Sequence, residues 1–406
     1  MARIFKQLKK FFRRLLRHPW GKWVLLGGAA TAVLAVAIVL LLSGREPEVP
    51  PIGSGGNTTS ITLVAGGDLN VTDNTVAAGE YNGIYDYTAA FLDVAEIFAQ
   101  ADAAIVNLEG NLGISPYGSA TTSAPLALAQ ALAACGVDFV QMANSCAVNN
   151  GLLGLSQTLS AIRSCGMEPL GAYESNAAFA KEHGFVLRNI GGIRVALVAF
   201  TKGMDGMGLP AGSEKCVNLL YTDYTTTYQK VNTTGITQIL EAVNEAQPDI
   251  TIALVHWGSE GNSTISPTQK KIVKLMQSLG VDAIIGTHSH QVQSVVYDEE
   301  KHTLVAYSLG DFFGDGTISG SRYSILLQLQ ITKDLDTGAA AITGWDYVPL
   351  YTLAPQQEGD RMQLLRIDQA MTLYENNHIA SVSDAVYESL KSALSQIEKR
   401  IQPPAE

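Results

Sequence analysis

Cysteine is scarce. The chain has four in 406 residues, Cys135, Cys146, Cys165 and Cys216, and no CxxC spacing, which excludes a thiolate zinc site of the ribbon or finger type. None follows the one long apolar run, so that run carries no lipid-anchored cysteine. Positive charge is scarce beyond residue 22. Of 27 Lys and Arg, eight fall in the first 22 residues, leaving nineteen against 38 Asp and Glu, a balance of −19. A surface of that sign excludes nucleic acid as a partner for this part of the chain. No internal repeat is apparent, which excludes a solenoid or propeller.

The first 22 residues carry those eight positives and no Asp or Glu, and Trp23–Leu42 is continuously apolar. Twenty residues at ~1.5 Å each span about 30 Å, the hydrocarbon thickness of a bilayer. The charge asymmetry predicts a basic cytoplasmic segment (1–22), a transmembrane signal-anchor helix (23–43) and a C-terminal domain outside the cell membrane. A cleaved signal peptide is the rival reading. The length of the run and the lack of a small-x-small site before Arg45-Glu46-Pro47 favour the anchor. Residues 44–60, rich in Pro, Gly and Ser, read as a flexible linker.

From Ile61 short apolar runs alternate with helical segments, and from Gln293 strands follow one another closely. Alternation followed by consecutive strands predicts an α/β fold, a sheet sandwich flanked by helices over 61–354, with an amphipathic helical extension over 355–406. Gly136, Gly166 and Gly280 are placed to end helices in the left-handed conformation. Cys135 and Cys165 each close a helical segment just before a strand, so adjacent parallel helices would bring them together as a disulfide.

Three of seven histidines sit at the ends of two β-branched runs, DITIALV before His256-Trp257-Gly258 and VDAII before Gly286-Thr287-His288-Ser289-His290. A lone strand-end histidine is more often structural. The His288-x-His290 pair alters the balance, because residues two apart can converge on one ion, and imidazole is the commonest nitrogen ligand of divalent transition metals. Other strand ends add Gly67-Asp68, Asn107-Leu108-Glu109, Ala143-Asn144-Ser145-Cys146 and Ser308-Leu309-Gly310-Asp311-Phe312. Carboxylates with imidazoles are what Zn, Mn or Fe would use in a site of one or two divalent metal ions.

At these six points, in order from about Ile61 to about Leu353, the chain resembles the poly-γ-glutamate capsule-synthesis (CapA) family, which has a calcineurin-like metallophosphoesterase fold. The family shows Gly-Asp, Asn-Leu-Glu, Ala-Asn-Asn-His-x-x-Asp-x-Gly, His-Trp-Gly-x-Glu, Gly-x-His-x-His and Ser-Leu-Gly-Asn-Phe. The resemblance implies a metallophosphoesterase-like αββα sandwich. It implies that Asp68 binds one metal, that Glu109 lies between two, and that His256, His288 and His290 complete the set. Asn107, Asn144, Trp257 and Glu260 stand on the substrate side, with packing the competing role for Trp257 and ligand orientation for Glu260.

Two departures bear on catalysis. Asn144-Ser145-Cys146 replaces Asn-Asn-His, and Asn149 replaces the Asp three residues on. Serine is a poorer neutral ligand than a carboxamide, and a thiol of pKa about 8.5 lacks imidazole's match to neutral pH. Asp311 replaces the Asn of Gly-Asn-Phe, adding a charge that could serve as ligand or proton donor. The resemblance therefore implies a membrane-anchored extracellular protein in synthesis, export or anchoring of an anionic capsular polymer, partnered by that polymer or its machinery. The alternative is an active metal-dependent hydrolase or transferase of the cell surface, losing protons through water, Cys146 or Asp311. A third reading, a secreted phosphatase or nuclease, fits the fold but conflicts with the lost acid His. A domain at −19 repels polyglutamate, so binding needs a local cationic site, which bound metals could supply.

Overall fold

A computed structural model describes residues 56–376 and 382–401. The segments expected as cytoplasmic and membrane-spanning, and residues 44–55 of the expected linker, lie outside these residues, and Thr58–Ser60 of that linker already belong to a strand. Among the described residues no helix is long and apolar enough to cross a membrane.

The first half of the chain supplies strands β1 (Thr58–Asn70), β2 (Ala103–Glu109), β3 (Phe139–Gln141), β4 (Glu168–Leu170), β5 (Val186–Ile190) and β6 (Ile193–Thr201). The second half supplies β7 (Ile250–His256), β8 (Ala283–Thr287), β9 (Val295–Asp298), β10 (Thr303–Ala306), β11 (Tyr323–Asp334), β12 (Ala340–Leu353) and β13 (Gln363–Arg366). One sheet has seven strands in the order β13-β12-β11-β1-β2-β3-β4, and the other six in the order β9-β10-β8-β7-β6-β5. β1 to β4 are parallel in one sheet, and β6, β7, β8 and β10 in the other. The intervening helices are α1 (Leu92–Gln100), α2 (Leu126–Cys135), α3 (Gly151–Ser164), α4 (Asn176–Glu182), α5 (Thr233–Glu245) and α6 (Pro267–Ser278).

Burial on both faces explains why these strands read as unbroken apolar runs. On β6, Val195, Leu197 and Ala199 share one core with β1 and the seven-stranded sheet, while Ala196, Val198 and Phe200 pack with Ile236, Leu240 and Val243 of α5 and Ile272 and Met276 of α6. The arrangement is the expected mixed α/β sandwich. Gly136, Gly166 and Gly280 all take positive φ, at 99°, 84° and 80°.

One device recurs in both sheets. Asp102, Asp138, Asp249 and Asp282 each precede a parallel strand by one residue. Each carboxylate accepts the backbone N–H of the neighbouring strand at 2.7 to 2.9 Å, from Thr62, Ala104, Arg194 and Thr251 respectively. Each Asp backbone N–H returns a bond to the neighbour's carbonyl. These paired bonds satisfy groups at the strand starts and fix register at the end of the sheets opposite the loops that carry chemistry.

Two expectations are corrected. The C-terminal extension is not wholly helical, because β13 pairs antiparallel with β12 before α7 (Ile367–Glu375) and α8 (Asp384–Ile401) begin. All four cysteines are free thiols. Cys135 is turned into the core at the end of α2, whereas Cys165 follows α3 and is half-buried at its margin, so the helices bring the segments near without pairing the sulfurs.

Candidate metal centre

The chemistry-bearing residues gather at the C-terminal ends of parallel strands, where open α/β sheets place their sites. β1 shifts register between Ala65 and Asp68, and this turns Asp68 inward. The close approach requires glycine: a Cβ on Gly67 would stand 1.8 Å from the Gly310 carbonyl oxygen. Asp68 is pinned from both sides, its N–H to that carbonyl at 3.0 Å and its carbonyl to the N–H of Phe313 at 3.1 Å. The loop after β8 is strained, with His288 at φ 86° and His290 at φ 55°. Non-glycine residues in this region cost roughly 1–3 kcal/mol each and persist where the surroundings impose them. Here the His288 N–H donates to Asp68 Oδ2 at 2.8 Å.

Two groups of ligand-type atoms result. In the first, Nε2 of His256 faces Oε1 of Glu109 at 3.2 Å, Ser145 Oγ at 3.1 Å and Nδ1 of His288 at 3.0 Å. Thr287 Oγ1, 2.9 Å from Nδ1 of His256, orients that ring. In the second, Nδ1 of His290 lies 2.7 Å from Asp311 Oδ1 and 3.9 Å from Asp68 Oδ2. Glu109 stands between them, with Oε2 4.0 Å from Nε2 of His290. One ligand atom from each of Glu109, His256 and His288 fits within 4.8 Å, and the same holds for Asp68, His290 and Asp311, and for Glu260, His288 and His290.

The electrostatics show a centre short of positive charge. Asp68, Glu109 and Asp311 are all buried. Against the opposing effect of burial, the charge of Glu109 and the hydrogen bond of Asp68 push His256 up to about 9. Against burial again, Asp311, then Glu109 and Asp68, push His290 up to about 11. Burial, with Asp68 and Glu109 nearby, pushes the Asp311 carboxyl up to about 7. Asp68 itself is held below the usual carboxylate range, because His256 and His290 outweigh its burial. Burial, then His256, Lys202 and His290, holds His288 well below the usual imidazole value, so it is neutral.

A divalent cation fits these residues. Oε2 of Glu109 is buried without a hydrogen-bond partner, an arrangement that costs free energy unless a cation is its partner. Protons on His256 and His290 stand where cation charge would. The donor set of carboxylates, imidazoles and one hydroxyl suits a first-row transition ion.

Several other expected residues take places that differ from the sequence reading. Asn107 donates to Asp68 Oδ1 at 2.5 Å, and Asn144 donates to Asn107 Oδ1 and the Leu108 carbonyl while its own Oδ1 accepts the Cys146 N–H. Both amides are buried, so in place of substrate contact they orient ligands. Of the two roles open to Trp257 the structure shows packing: its ring is fully buried, stacks on Tyr307, and donates to that residue's carbonyl at 2.9 Å. Glu260 is exposed yet within ligand range of His288 and His290. Asp311, expected as a ligand or a proton donor, stands among the ligand-type atoms with Asp68 and His290. Burial and then Glu109, Asp205 and Glu260 push the Cys146 thiol well above its ordinary value. Held protonated, it is neither a nucleophile nor a match for neutral-pH proton transfer.

Sequence reasoning missed Lys202, Asp205 and Thr287. Lys202 Nζ lies 2.8 Å from Nε2 of His288, and Asp205 reaches Ser145 while burial raises its carboxyl. A signal existed for Lys202, which follows β6 at the same sheet end as His256.

Residues 62–316 match the family profile described as bacterial capsule synthesis protein PGA_cap. The capsule biosynthesis protein CapA of Bacillus anthracis is 28% identical over 217 residues, 53% of this chain and 48% of that protein. The PGA biosynthesis protein CapA of Bacillus subtilis (strain 168) is 26% identical over 212 residues, 50% of this chain and 49% of that protein. The chain thus spans about half the length of these curated relatives. A solved calcineurin-like phosphoesterase, YfkN of Bacillus subtilis, is 14% identical, with a TM-score of 0.42 over 82% of this chain and 100% of that one. A phosphatase of Mycoplasma pneumoniae is 14% identical, with a TM-score of 0.44 over 73% of this chain and 94% of that one. The family match takes in Asp68, Glu109, His256, His288, His290 and Asp311, and the chain belongs to the bacterial capsule synthesis protein PGA_cap family.

Proposed function

We propose that this chain is a membrane-anchored extracellular protein in the synthesis, export or anchoring of a poly-γ-glutamate-type capsular polymer, with a divalent-metal centre that meets the polymer's anionic groups. Family membership supports the capsule role, and the basic segment and apolar run of residues 1–43 support the anchor. The single observation behind the metal centre is the buried Oε2 of Glu109, which accepts no hydrogen bond and stands between two histidine groups. Glu109, His256, His288 and Ser145 would hold one cation, and Asp68, Glu109, His290 and Asp311 a second. Bound there, the cations would supply Lewis acidity and lower the pKa of a water. Asn107 and Asn144 orient the acidic ligands, and Thr287 orients His256.

In a capsule-forming host lacking its own member of this family, the wild-type chain is expected to restore cell-bound polymer. Neither Glu109→Gln nor a chain lacking residues 1–43 should do so. Restoration by Glu109→Gln would make the centre dispensable and overturn the reading.

The ligand set also favours a second reading, a hydrolase whose acid has been rewritten at Cys146. Ser145→Asn together with Cys146→His should then raise hydrolysis of a generic phosphoester by about 10²-fold or more, the usual contribution of a positioned acid. Unchanged hydrolysis in a folded, metal-loaded variant would remove this reading.

A further inference from the structure

Arg322 ends the loop that leads from Asp311 into β11, and it is half-buried. Its carbonyl accepts the Thr352 N–H at 2.8 Å, which fixes the backbone. Its side chain lies against Gly316, at φ 71°, where a Cβ would stand 2.6 Å from the arginine Nε. Backbone and packing therefore hold the guanidinium in place. Among the described residues it donates no hydrogen bond and pairs with no carboxylate. A guanidinium already ordered, with no acceptor to give up, loses less freedom when an anion arrives.

Two cavities meet at this residue. One, of about 230 Å³, is lined by Asn74, Asp315 and Arg361 as well as Arg322, and the other, of about 460 Å³, by Gly316, Tyr323 and residues of α8. A third, of about 280 Å³, shares Arg361 with the first, so the three adjoin as a groove with an arginine at each junction. Acidic residues line it too, but each already has its donors. Asp315 accepts from Asn74 Nδ2 and the Thr317 N–H, Asp360 accepts from the N–H groups of Gln356 and Gln357, and Glu388 pairs with Lys391, all at 3.1 Å. Arg361 is partly engaged, 5.0 Å from the centroid of the Tyr81 ring and acting electrostatically on Asp86. The groove borders the metal centre. Gln291, next after His290, donates to the Ser319 carbonyl and accepts from Arg400 at 2.7 Å, which ties the loop before Arg322 to the loop after β8.

We propose that this groove binds an extended, carboxylate-bearing polymer, with Arg322 as its main anion contact and Arg361 as a second. A planar guanidinium takes a carboxylate through two parallel N–H···O bonds, and carboxylates repeated along a chain can meet arginines spaced along a groove. In a domain whose net charge repels such a polymer, an arginine without a partner supplies the local attraction. The proposal rests on the capsule-polymer reading above and needs no ion in the metal centre.

The test is calorimetric titration of the full chain, purified in detergent and kept in chelator, with a soluble γ-linked glutamate oligomer. Arg322→Gln is expected to bind roughly tenfold more weakly than wild type, the loss of one bidentate charge-assisted contact. Arg322→Lys, which keeps the charge but not the fork, should fall between the two. Arg361→Gln should lose a smaller factor, roughly threefold, because that guanidinium already has Tyr81 and Asp86. Arg194→Gln removes the same charge at the opposite end of the sheets, where Arg194 donates to the Ala246 carbonyl, and should bind as wild type does. Since the Arg322 guanidinium makes no bond within the fold, Arg322→Gln should melt at the wild-type temperature. Equal affinities for wild type and Arg322→Gln, or an equal loss in Arg194→Gln, would overturn the groove and leave the polymer reading standing. Binding that appears only when Mn²⁺ replaces the chelator would put the polymer at the metal centre and overturn the groove as well. Failure of wild type to bind the oligomer under either condition would strike the polymer reading itself and take this proposal with it.

Discussion

Mn²⁺ at a thousandfold excess over its dissociation constants should raise the unfolding temperature of the wild-type chain by roughly 15 °C, two sites acting together, and Glu109→Gln should abolish the rise. Selective binding to the folded state at that excess contributes about 4 kcal/mol per site, and for a domain of this size each kcal/mol moves the midpoint by about 2 °C. Glutamine keeps the shape of Glu109 but removes the charge shared between the His256 group and the His290 group. It also gives the unpartnered oxygen position an amide, which cannot bridge two cations. The readout is the difference between scans with and without Mn²⁺, so any effect of the substitution on the metal-free fold cancels. A rise of equal size in Glu109→Gln would mean that the metal binds elsewhere.

The second large effect is on pH. In the metal-free chain His256 and His290 hold protons up to about 9 and about 11, and a metal must displace them. The affinity for the ion at the His256 group should therefore climb about tenfold per pH unit up to about pH 9, and that for the ion at the His290 group about tenfold per unit up to about pH 11, one proton being displaced at each. Between pH 9 and 11 only the His290 proton remains, so the first affinity should level off while the second keeps climbing. Below about pH 7 the proton on Asp311 adds to the competition. Stability runs the other way. Both histidines have folded values raised above the ordinary 6.5, so their stabilising contribution is complete below that value and is lost as pH rises through 9 and then 11. The metal-free chain should thus melt at progressively lower temperature from neutral to alkaline pH, while the Mn²⁺-loaded chain should not. Calorimetric dissociation constants at successive pH values check this, and a flat profile would mean that the histidines are not the groups displaced.

Much of the centre is legible in the sequence because β-strands buried on both faces announce themselves as apolar runs, and each run gives way to a loop at the sheet edge. Asp68, Glu109, His256, His288 and His290 are found that way, and the structure brings all five together. Direction is harder to read than position. Trp257 and Asn144 sit in the right loops, but only packing decides that one ring and one amide turn inward. Asp311 is ambiguous in sequence because a single carboxylate can bind, donate or face solvent, and only in three dimensions is it seen buried, 2.7 Å from His290. Lys202 carries no motif, since the residue it contacts, His288, lies 86 residues away along the chain. The residues Gln363–Arg366 are too few to show a strand period beside the amphipathic helix after them. The aspartates at 102, 138, 249 and 282 stand in plain view one residue before each strand, yet their common bond to the neighbouring strand is visible only once the sheets are assembled.

Elemental analysis of the full chain purified without added chelator tests the central claim most directly, with Glu109→Gln prepared alongside. The two ligand groups meeting at Glu109 predict two divalent ions per wild-type chain, of zinc, manganese or iron, and their loss in the variant. A wild-type chain that carries no such ion, and takes up none on dialysis against them, would contradict the account.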